Sequence, residues 1–394
     1  MKNAYVLSWG CPENIFDAAR VKLYLRENGW HIVNKPADAD LVLFNACGLR
    51  QQSVGYSLGI INWLKRKVRS DTQIIIWGCL TKINPNTLKQ VYNGPTFSEA
   101  ELERLDSIIN AQKPISAVTC NEIMPPYHHT VFGLWETIYK LPELLFDRYY
   151  YYRCNRGRDV EIIKPEDHSI FYIKIATGCV QHCSFCVSCL SRGRIKSKPI
   201  SNVVDEFKEG LRQGYANFSL LGTDTGSYGK DLGCNLADLL REMIKEKGQY
   251  RIGLRNTYPG ALKKMLDELK PMLSTGKIWY IEIAAESGSD RVLALMKRGY
   301  TVEDLKECVR NIRQAWPKIV IRTQFITGFP TETGRDFAQS MRLLENLRFD
   351  VVEVYQFSPM PGTLAEKMNQ VPSIIAKYRK YRMLTKALRQ SVTK

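Results

Sequence analysis

Cys179, Cys183 and Cys186 stand in the run Gly178-Cys179-Val180-Gln181-His182-Cys183-Ser184-Phe185-Cys186, and no other feature constrains the chain as tightly. Cysteine thiolates bind iron–sulfur clusters. Spacings of three and then two intervening residues let one short loop serve three irons of a cubane and leave the fourth open. An open, redox-active iron is a place where a small molecule can bind and be reduced. The same spacing suits a zinc loop, or a cluster closed by Cys189 three residues further on.

A second set of cysteines is spread through the amino-terminal part. Cys11, Cys47 and Cys79 each follow an apolar stretch that reads as a buried strand: Ala4-Tyr5-Val6-Leu7, Leu41-Val42-Leu43-Phe44 and Ile74-Ile75-Ile76-Trp77. Helical segments separate them. Alternating strand and helix implies a parallel sheet whose strands point one way, so residues just past the strand ends converge at one edge. Gly10 and Gly78 directly precede two of the cysteines, as tight turns beside a bulky group require. Three unrelated buried thiols are the alternative.

Composition bounds the setting. The chain has 394 residues, 44% of them hydrophobic, enough for two domains with sizeable cores. The start has too short an apolar run for a signal peptide, and no stretch approaches the roughly eighteen apolar residues of a membrane span. A cytoplasmic location is expected. There, eleven cysteines read as metal ligands and buried thiols rather than a disulfide framework. Cys120, Cys154, Cys234 and Cys308 have no paired spacing and read as buried thiols, and His182 as a solvent-facing or hydrogen-bonding residue.

The loop at Cys179, with the aromatic Phe185 before its last cysteine, resembles that of the radical S-adenosylmethionine (SAM) superfamily. Gly10-Cys11-Pro12-Glu13-Asn14 with Asp17, Asn45-Ala46-Cys47 and Gly78-Cys79-Leu80 resemble the amino-terminal domain of the methylthiotransferases, radical SAM enzymes with two 4Fe-4S clusters. The likeness continues through Leu221-Gly222-Thr223-Asp224-Thr225-Gly226, Glu286-Ser287-Gly288-Ser289-Asp290-Arg291, Met296-Lys297-Arg298-Gly299-Tyr300-Thr301, Gly328-Phe329-Pro330-Thr331-Glu332 and Phe357-Ser358-Pro359-Met360-Pro361-Gly362-Thr363. It implies an α/β chain. A flavodoxin-like or Rossmann-like parallel-sheet domain is expected over residues 1–120 and an aromatic linker or insertion over 121–167. An open (β/α)6 radical SAM partial barrel follows over 168–365, and a basic C-terminal helix over 366–394. Family members typically end in a small β-barrel RNA-binding-type domain called TRAM, which this sequence is expected to lack.

The resemblance also implies ligands. Cys179, Cys183 and Cys186 would hold the radical-generating cluster, and Cys11, Cys47 and Cys79 an auxiliary one; Cys189 would stay off the cluster so that SAM can chelate the fourth iron. Around SAM, Phe185 would pack beside adenine, while Gly222, Thr223 and Asp224 would receive the methionine ammonium. Glu286 and Arg322 would take ribose and carboxylate, with structural salt bridges as the alternative for both. Gly328 would let the backbone approach adenine.

The implied activity is methylthiolation. One SAM yields a 5′-deoxyadenosyl radical that takes a hydrogen atom from the substrate, and a second methylates a sulfur on the auxiliary cluster, which the substrate radical captures. A reducing partner such as flavodoxin or ferredoxin is expected. Without a TRAM-type domain the acceptor is read as a polypeptide residue, possibly in a ribosomally made precursor peptide, with a tRNA adenosine as the alternative. The net charge of +16 serves tRNA equally well. Much of it lies in the tail, at Lys367, Lys377, Arg379, Lys380, Arg382, Lys386, Arg389 and Lys394 against Glu366. Ile374, Tyr378, Tyr381, Leu384 and Leu388 predict an apolar stripe opposite one basic helix face. A redox-sensing or electron-transfer protein with two closed clusters is the reading of another class.

Overall fold

The computed structural model describes residues 2–124, 145, 149–150, 152–154 and 169–392. They form two compact units. The first joins the amino-terminal residues to the segment Val187–Gly193, and the second holds the rest.

The first unit is built on strands β1 (Asn3–Ser8), β2 (His31–Ile32), β3 (Leu41–Asn45), β4 (Gln73–Trp77) and β5 (Thr96–Phe97), in the order β2-β1-β3-β4-β5. Every pairing is parallel. This is the flavodoxin-like order, with the switch point between β1 and β3. The apolar runs form the central strands because a parallel sheet covered on both faces demands continuous hydrophobicity, and every residue of β3 is buried. The helix Pro12–Glu27 starts at once after Cys11, with Pro12 pre-set for the first turn and Glu13 facing the positive helix end. Tyr24, Leu43, Trp77, Phe97 and Leu105 fill the core. The two-residue strands β2 and β5 carry too little pattern to be read from sequence.

The second unit contains strands β6 (Ile170–Lys174), β7 (Ala176–Thr177), β8 (Lys196–Ser197), β9 (Asn217–Leu221), β10 (Arg251–Thr257), β11 (Ile278–Glu286), β12 (Val320–Thr327) and β13 (Val351–Gln356). Six make one parallel sheet in the order β13-β12-β11-β10-β9-β6, and β7 and β8 form a small antiparallel ribbon. Among the described residues β6 and β13 remain its two edges, as an open (β/α)6 arrangement requires. Five of the six strands lie on the apolar runs 169–175, 218–221, 280–283, 320–326 and 352–355, which read as strands from residue type alone. The exception is β10, whose residues Arg251, Gly253, Arg255 and Asn256 disguise it. Its arginines lie over the rings of Trp279 and Tyr280 on or beside β11, at 5.2 and 5.6 Å, so their stems count as cover rather than as exposed charge. Gly253 leaves the space that the Tyr280 ring fills.

The tail forms the expected helix, Ser373–Val392, but with another face inward. Of the expected stripe Ile374 and Tyr378 are exposed and Leu384 is buried, and beside Leu384 it is Ala376, Arg379, Met383 and Ala387 that turn inward. Two contacts set this rotation. A Cβ on Gly328 would sit 2.2 Å from that of Ala376, so the glycine admits the helix at backbone distance. Arg379 meets the buried carboxylate of Glu332 at 2.6 Å. Leaving that carboxylate unpaired would cost several kcal/mol, about 3–5, more than one exposed isoleucine costs.

The aromatic stretch 121–167, considered above as a linker or insertion, lies mostly outside the described residues. Within it Tyr150 is buried; its hydroxyl donates to the Val352 carbonyl at 2.8 Å and accepts from the Val352 N–H at 2.9 Å. No helix among the described residues is long and apolar enough to cross a membrane.

Gly210, in the helix Ile200–Arg212, tests the packing of this unit. A Cβ there would lie 2.6 Å from the Phe218 ring and 2.9 Å from that of Phe171. Alanine gains about 1 kcal/mol of helix propensity, while overpacking two rigid rings costs about 1–3 kcal/mol. Gly210→Ala is therefore expected to melt below the parent protein by calorimetry; an equal or higher melting temperature contradicts this account of the helix–sheet contact.

Candidate functional site

In the first unit Ser8 pairs with Asn45, and Asn45 with Trp77, so β1, β3 and β4 end level. The loops that follow interlock. A Cβ on Gly10 would approach the Cys47 Cβ to 2.9 Å, one on Gly48 would meet the Leu80 Cα at 2.7 Å, and one on Gly78 the Asn45 Oδ1 at 2.2 Å. Backbone bonds tie the loops: Ala46 N–H donates to the Trp77 carbonyl at 2.8 Å, and Leu80 N–H to that of Ala46 at 3.0 Å. Asn45 Nδ2 donates to the Asn14 carbonyl at 3.0 Å. Cys11, Cys47 and Cys79 are brought together at this edge, near enough that each raises the thiol of another.

The segment Val187–Gly193 completes the site. Its helix Ser188–Arg192 brings Arg192, 4% exposed, among the cysteines. Nη2 donates to Cys11 Sγ at 3.4 Å and to Asn14 Oδ1 at 2.7 Å. Nη1 is in close contact with the Glu13 carboxylate, and Nε lies 3.3 Å from Glu99 Oε2. Ser191 Oγ donates to Cys79 Sγ at 3.5 Å. Burial pushes the Cys11 and Cys79 thiols up to about 11, against the opposing pull of Arg192. Cys189 lies on the same helix and packs with this unit.

In the second unit the loop from Gly178 to Cys186 follows β6 and β7. Ser184 anchors it: its N–H donates to the Met296 carbonyl at 3.0 Å, its Oγ to that of Leu295 at 2.7 Å, and its own carbonyl accepts from Ala365 at 2.9 Å. Gly178 N–H donates to Thr223 Oγ1 at 3.2 Å. Arg298, packed over the Tyr258 ring, donates through Nη1 to Cys183 Sγ at 3.2 Å. Burial raises the Cys183 thiol and Arg298 opposes it. His182 is exposed, Cys120, Cys154 and Cys308 are buried, and Cys234 is half-buried.

The residues expected around SAM divide into two groups. Gly222, Thr223 and Asp224 follow β9 beside the loop. Asp224 Oδ2 accepts from Ser227 Oγ at 2.6 Å and from Gln181 Nε2 at 3.5 Å, while among the described residues the buried Oδ1 has no hydrogen-bond donor. Glu286 ends β11 with a φ of 58° and lies 3.8 Å from Arg298; burial raises its carboxyl. Phe185 packs edge-on to Phe329, centroids 6.3 Å apart, in a small apolar cluster. The other two have structural employment. Arg322 is buried against Glu353 and lies 3.9 Å from Glu282. Gly328 faces Ala376, and its N–H donates to Glu332 at 2.9 Å.

Both cysteine sets suit thiolate ligation of a cluster. Among the described residues no three His, Cys, Asp or Glu side chains converge closely enough for a single ion. A cubane asks less, because its thiolates sit on separate irons. The glycine-only approach of the loops and the donors aimed at sulfur are what such a bulky, anionic group requires. Sequence reasoning missed Asn14, Arg192 and Arg298 as partners of sulfur. Asn14 stands one helical turn after Cys11 and was within reach of a spacing argument. Nothing local separates Arg192 from the rest of the 56 basic residues.

Burial and protonation together predict reactivity. In metal-free protein at pH 8, iodoacetamide should alkylate the exposed Cys186 first. Cys11 and Cys79 should stay largely unmodified until the pH nears 11 or the chain is unfolded. Peptide mapping by mass spectrometry reads the order, and early labelling of Cys79 would contradict it.

Comparison with known proteins agrees with this architecture. Residues 173–344 match the radical SAM superfamily, and residues 3–96 match the uncharacterized protein family UPF0004. A tRNA-2-methylthio-N(6)-dimethylallyladenosine synthase from Chloroflexus aurantiacus is 31% identical over 376 residues, covering 94% of this chain and 72% of its own. A probable threonylcarbamoyladenosine tRNA methylthiotransferase from Pyrococcus horikoshii is 28% identical over 381 residues, covering 96% and 82%. Among solved structures, the radical SAM methyltransferase TsrM from Kitasatospora setae superimposes with a TM-score of 0.61 over 93% of this chain and 75% of its own. At 14% identity that likeness shows the fold alone. Sequence likeness along almost the whole chain carries the conclusion: this protein belongs to the radical SAM methylthiotransferase family, enzymes that use SAM and 4Fe-4S clusters to insert sulfur and add a methyl group.

Proposed function

We propose that this enzyme methylthiolates an adenosine of tRNA. The observation that carries the reading is that both named relatives, matched over more than nine-tenths of this chain, bear a tRNA adenosine derivative in their names. The net charge of +16 supports it, since a polyanion is held by cation-rich surfaces. The polypeptide reading rests on the expected lack of a TRAM-type domain, and where the sequence ends says nothing about the acceptor. The reading places the enzyme where tRNA meets a low-potential one-electron donor such as flavodoxin or ferredoxin, in the cytoplasm.

The cofactors supply hydrogen-atom abstraction, sulfur and methyl, chemistry that no side chain possesses. The chain's own residues bind and orient. Cys179, Cys183 and Cys186 would hold the SAM-binding cluster, and Cys11, Cys47 and Cys79 the auxiliary one. Asp224 Oδ1, buried and without a donor, would accept from the methionine ammonium, while Ser227 and Gln181 hold its other oxygen in place. Gly222 and Thr223 would line that position, and Phe185 would close it on the apolar side. Glu286 would reach the ribose, held by Arg298, which also donates to Cys183 Sγ.

Reconstituted, reduced enzyme incubated with SAM and separate RNA and peptide pools from its host tests the assignment. Nucleoside mass spectrometry should find hydrogen replaced by methylthio on a tRNA adenosine, and Cys11→Ala should abolish that product. Methylthio groups confined to the peptide pool would overturn the acceptor, and failure to form 5′-deoxyadenosine with either pool would overturn the radical chemistry.

A further inference from the structure

Arg192 is heavily engaged in the first unit, and methylthiolation as set out above gives it no task. Its three nitrogens face four groups: Nη1 the carboxylate of Glu13, Nε that of Glu99, and Nη2 both Asn14 Oδ1 and Cys11 Sγ. The side chains of Arg192, Glu13 and Glu99 are 1%, 5% and 5% exposed. Water therefore screens their charges poorly. The adjacent Ser191 Oγ has Cys79 Sγ at 3.5 Å and the Ser188 carbonyl at 3.2 Å as acceptors for its one proton, so one short segment reaches two of the three sulfurs.

Charge balance shows what this arrangement does. Two buried carboxylates beside three thiolates would make the pocket strongly anionic and oppose the further electron that reduction brings. One guanidinium offsets part of that charge and directs an N–H at sulfur. Hydrogen bonds to the sulfurs and the net charge around them are principal controls on cluster potential. A lysine would substitute only in part, because a single ammonium lacks the fork that here faces two carboxylates while donating to Asn14 Oδ1 and Cys11 Sγ.

We infer that Arg192 is a positioning residue of the auxiliary cluster, clamped by Glu13 and Glu99 so that it and Ser191 donate to the sulfurs of Cys11 and Cys79 and raise that cluster's reduction potential. The inference rests on the assignment of Cys11, Cys47 and Cys79 as cluster ligands. A purely structural ion triad would affect stability without moving the potential in opposite directions when cation and anion are removed in turn.

The test uses the full chain with Cys179, Cys183 and Cys186 changed to Ala, so that one cluster is read alone. Iron analysis comes first. If this parent holds no cluster after reconstitution, the ligand assignment fails. If it holds one, an EPR-monitored reductive titration follows. Arg192→Gln should shift the reduction equilibrium about tenfold towards the oxidised form, about 59 mV lower for one electron. Glu99→Gln should shift the equilibrium the other way, and Arg192→Lys should fall between parent and Arg192→Gln. Unchanged midpoints, or shifts of the same sign for Arg192→Gln and Glu99→Gln, overturn the role of Arg192. Should Arg192→Gln not retain its cluster, Glu99→Gln decides: a raised midpoint sustains the inference, and an unchanged or lowered one overturns it.

Discussion

Ser8, Asn45 and Trp77 lie side by side in register, and from that alignment the whole first site follows. Parallel strands that end level deliver their next residues to one edge, and Cys11, Cys47 and Cys79 are among those residues. Register alone would leave three loops competing for the same space. Glycine resolves this at positions 10, 48 and 78, where a single added carbon would strike the neighbouring loop. The cradle is thus a property of the backbone, and the cysteines are carried into it rather than reaching for it.

Electrostatics complete what the backbone begins. Thiols buried in these positions hold their protons more tightly than in water, which opposes metal binding. Each set is met by one buried arginine, Arg192 donating to Cys11 and Arg298 to Cys183. Both arginines are themselves held, the first by Glu13 and Glu99, the second by Glu286 and the rings of Tyr258 and Tyr300. A guanidinium keeps its charge where an ammonium would shed it, which suits a permanent counter-charge in a dry site. The same solution in two unrelated sheets points to a common physical demand, that of stabilising several thiolates at once.

Ligation and packing compete for some residues. Read from the chain, Arg322 is a ligand contact or a salt bridge and Gly328 a close approach to adenine; the fold pairs Arg322 with Glu353 and sets Gly328 against Ala376. Asp224 goes the other way: one oxygen is fixed and the other, in a buried place, has no donor among the described residues. An unmet buried carboxylate oxygen is costly, and an incoming ammonium is the kind of group that offsets it.

Much of this protein was legible in the chain. Both cysteine sets, the parallel run of β1, β3 and β4 beneath the first of them and five of the six strands of the second sheet follow from residue type and spacing, because apolar periodicity and turn residues act over a few positions; the flavodoxin-like order came from the family resemblance. The strand Arg251–Thr257 was hidden because its arginines are covered by aromatic rings on or beside a strand some two dozen residues later. The buried face of the C-terminal helix was misread because Gly328 and Glu332, not its own periodicity, decide which side turns inward. Arg192 was invisible among many surface-type cations until the fold buried it. Sequence by itself determined most of the elements and which atoms could ligate; the tertiary structure alone decided which charges are desolvated, because desolvation depends on neighbours brought from far along the chain.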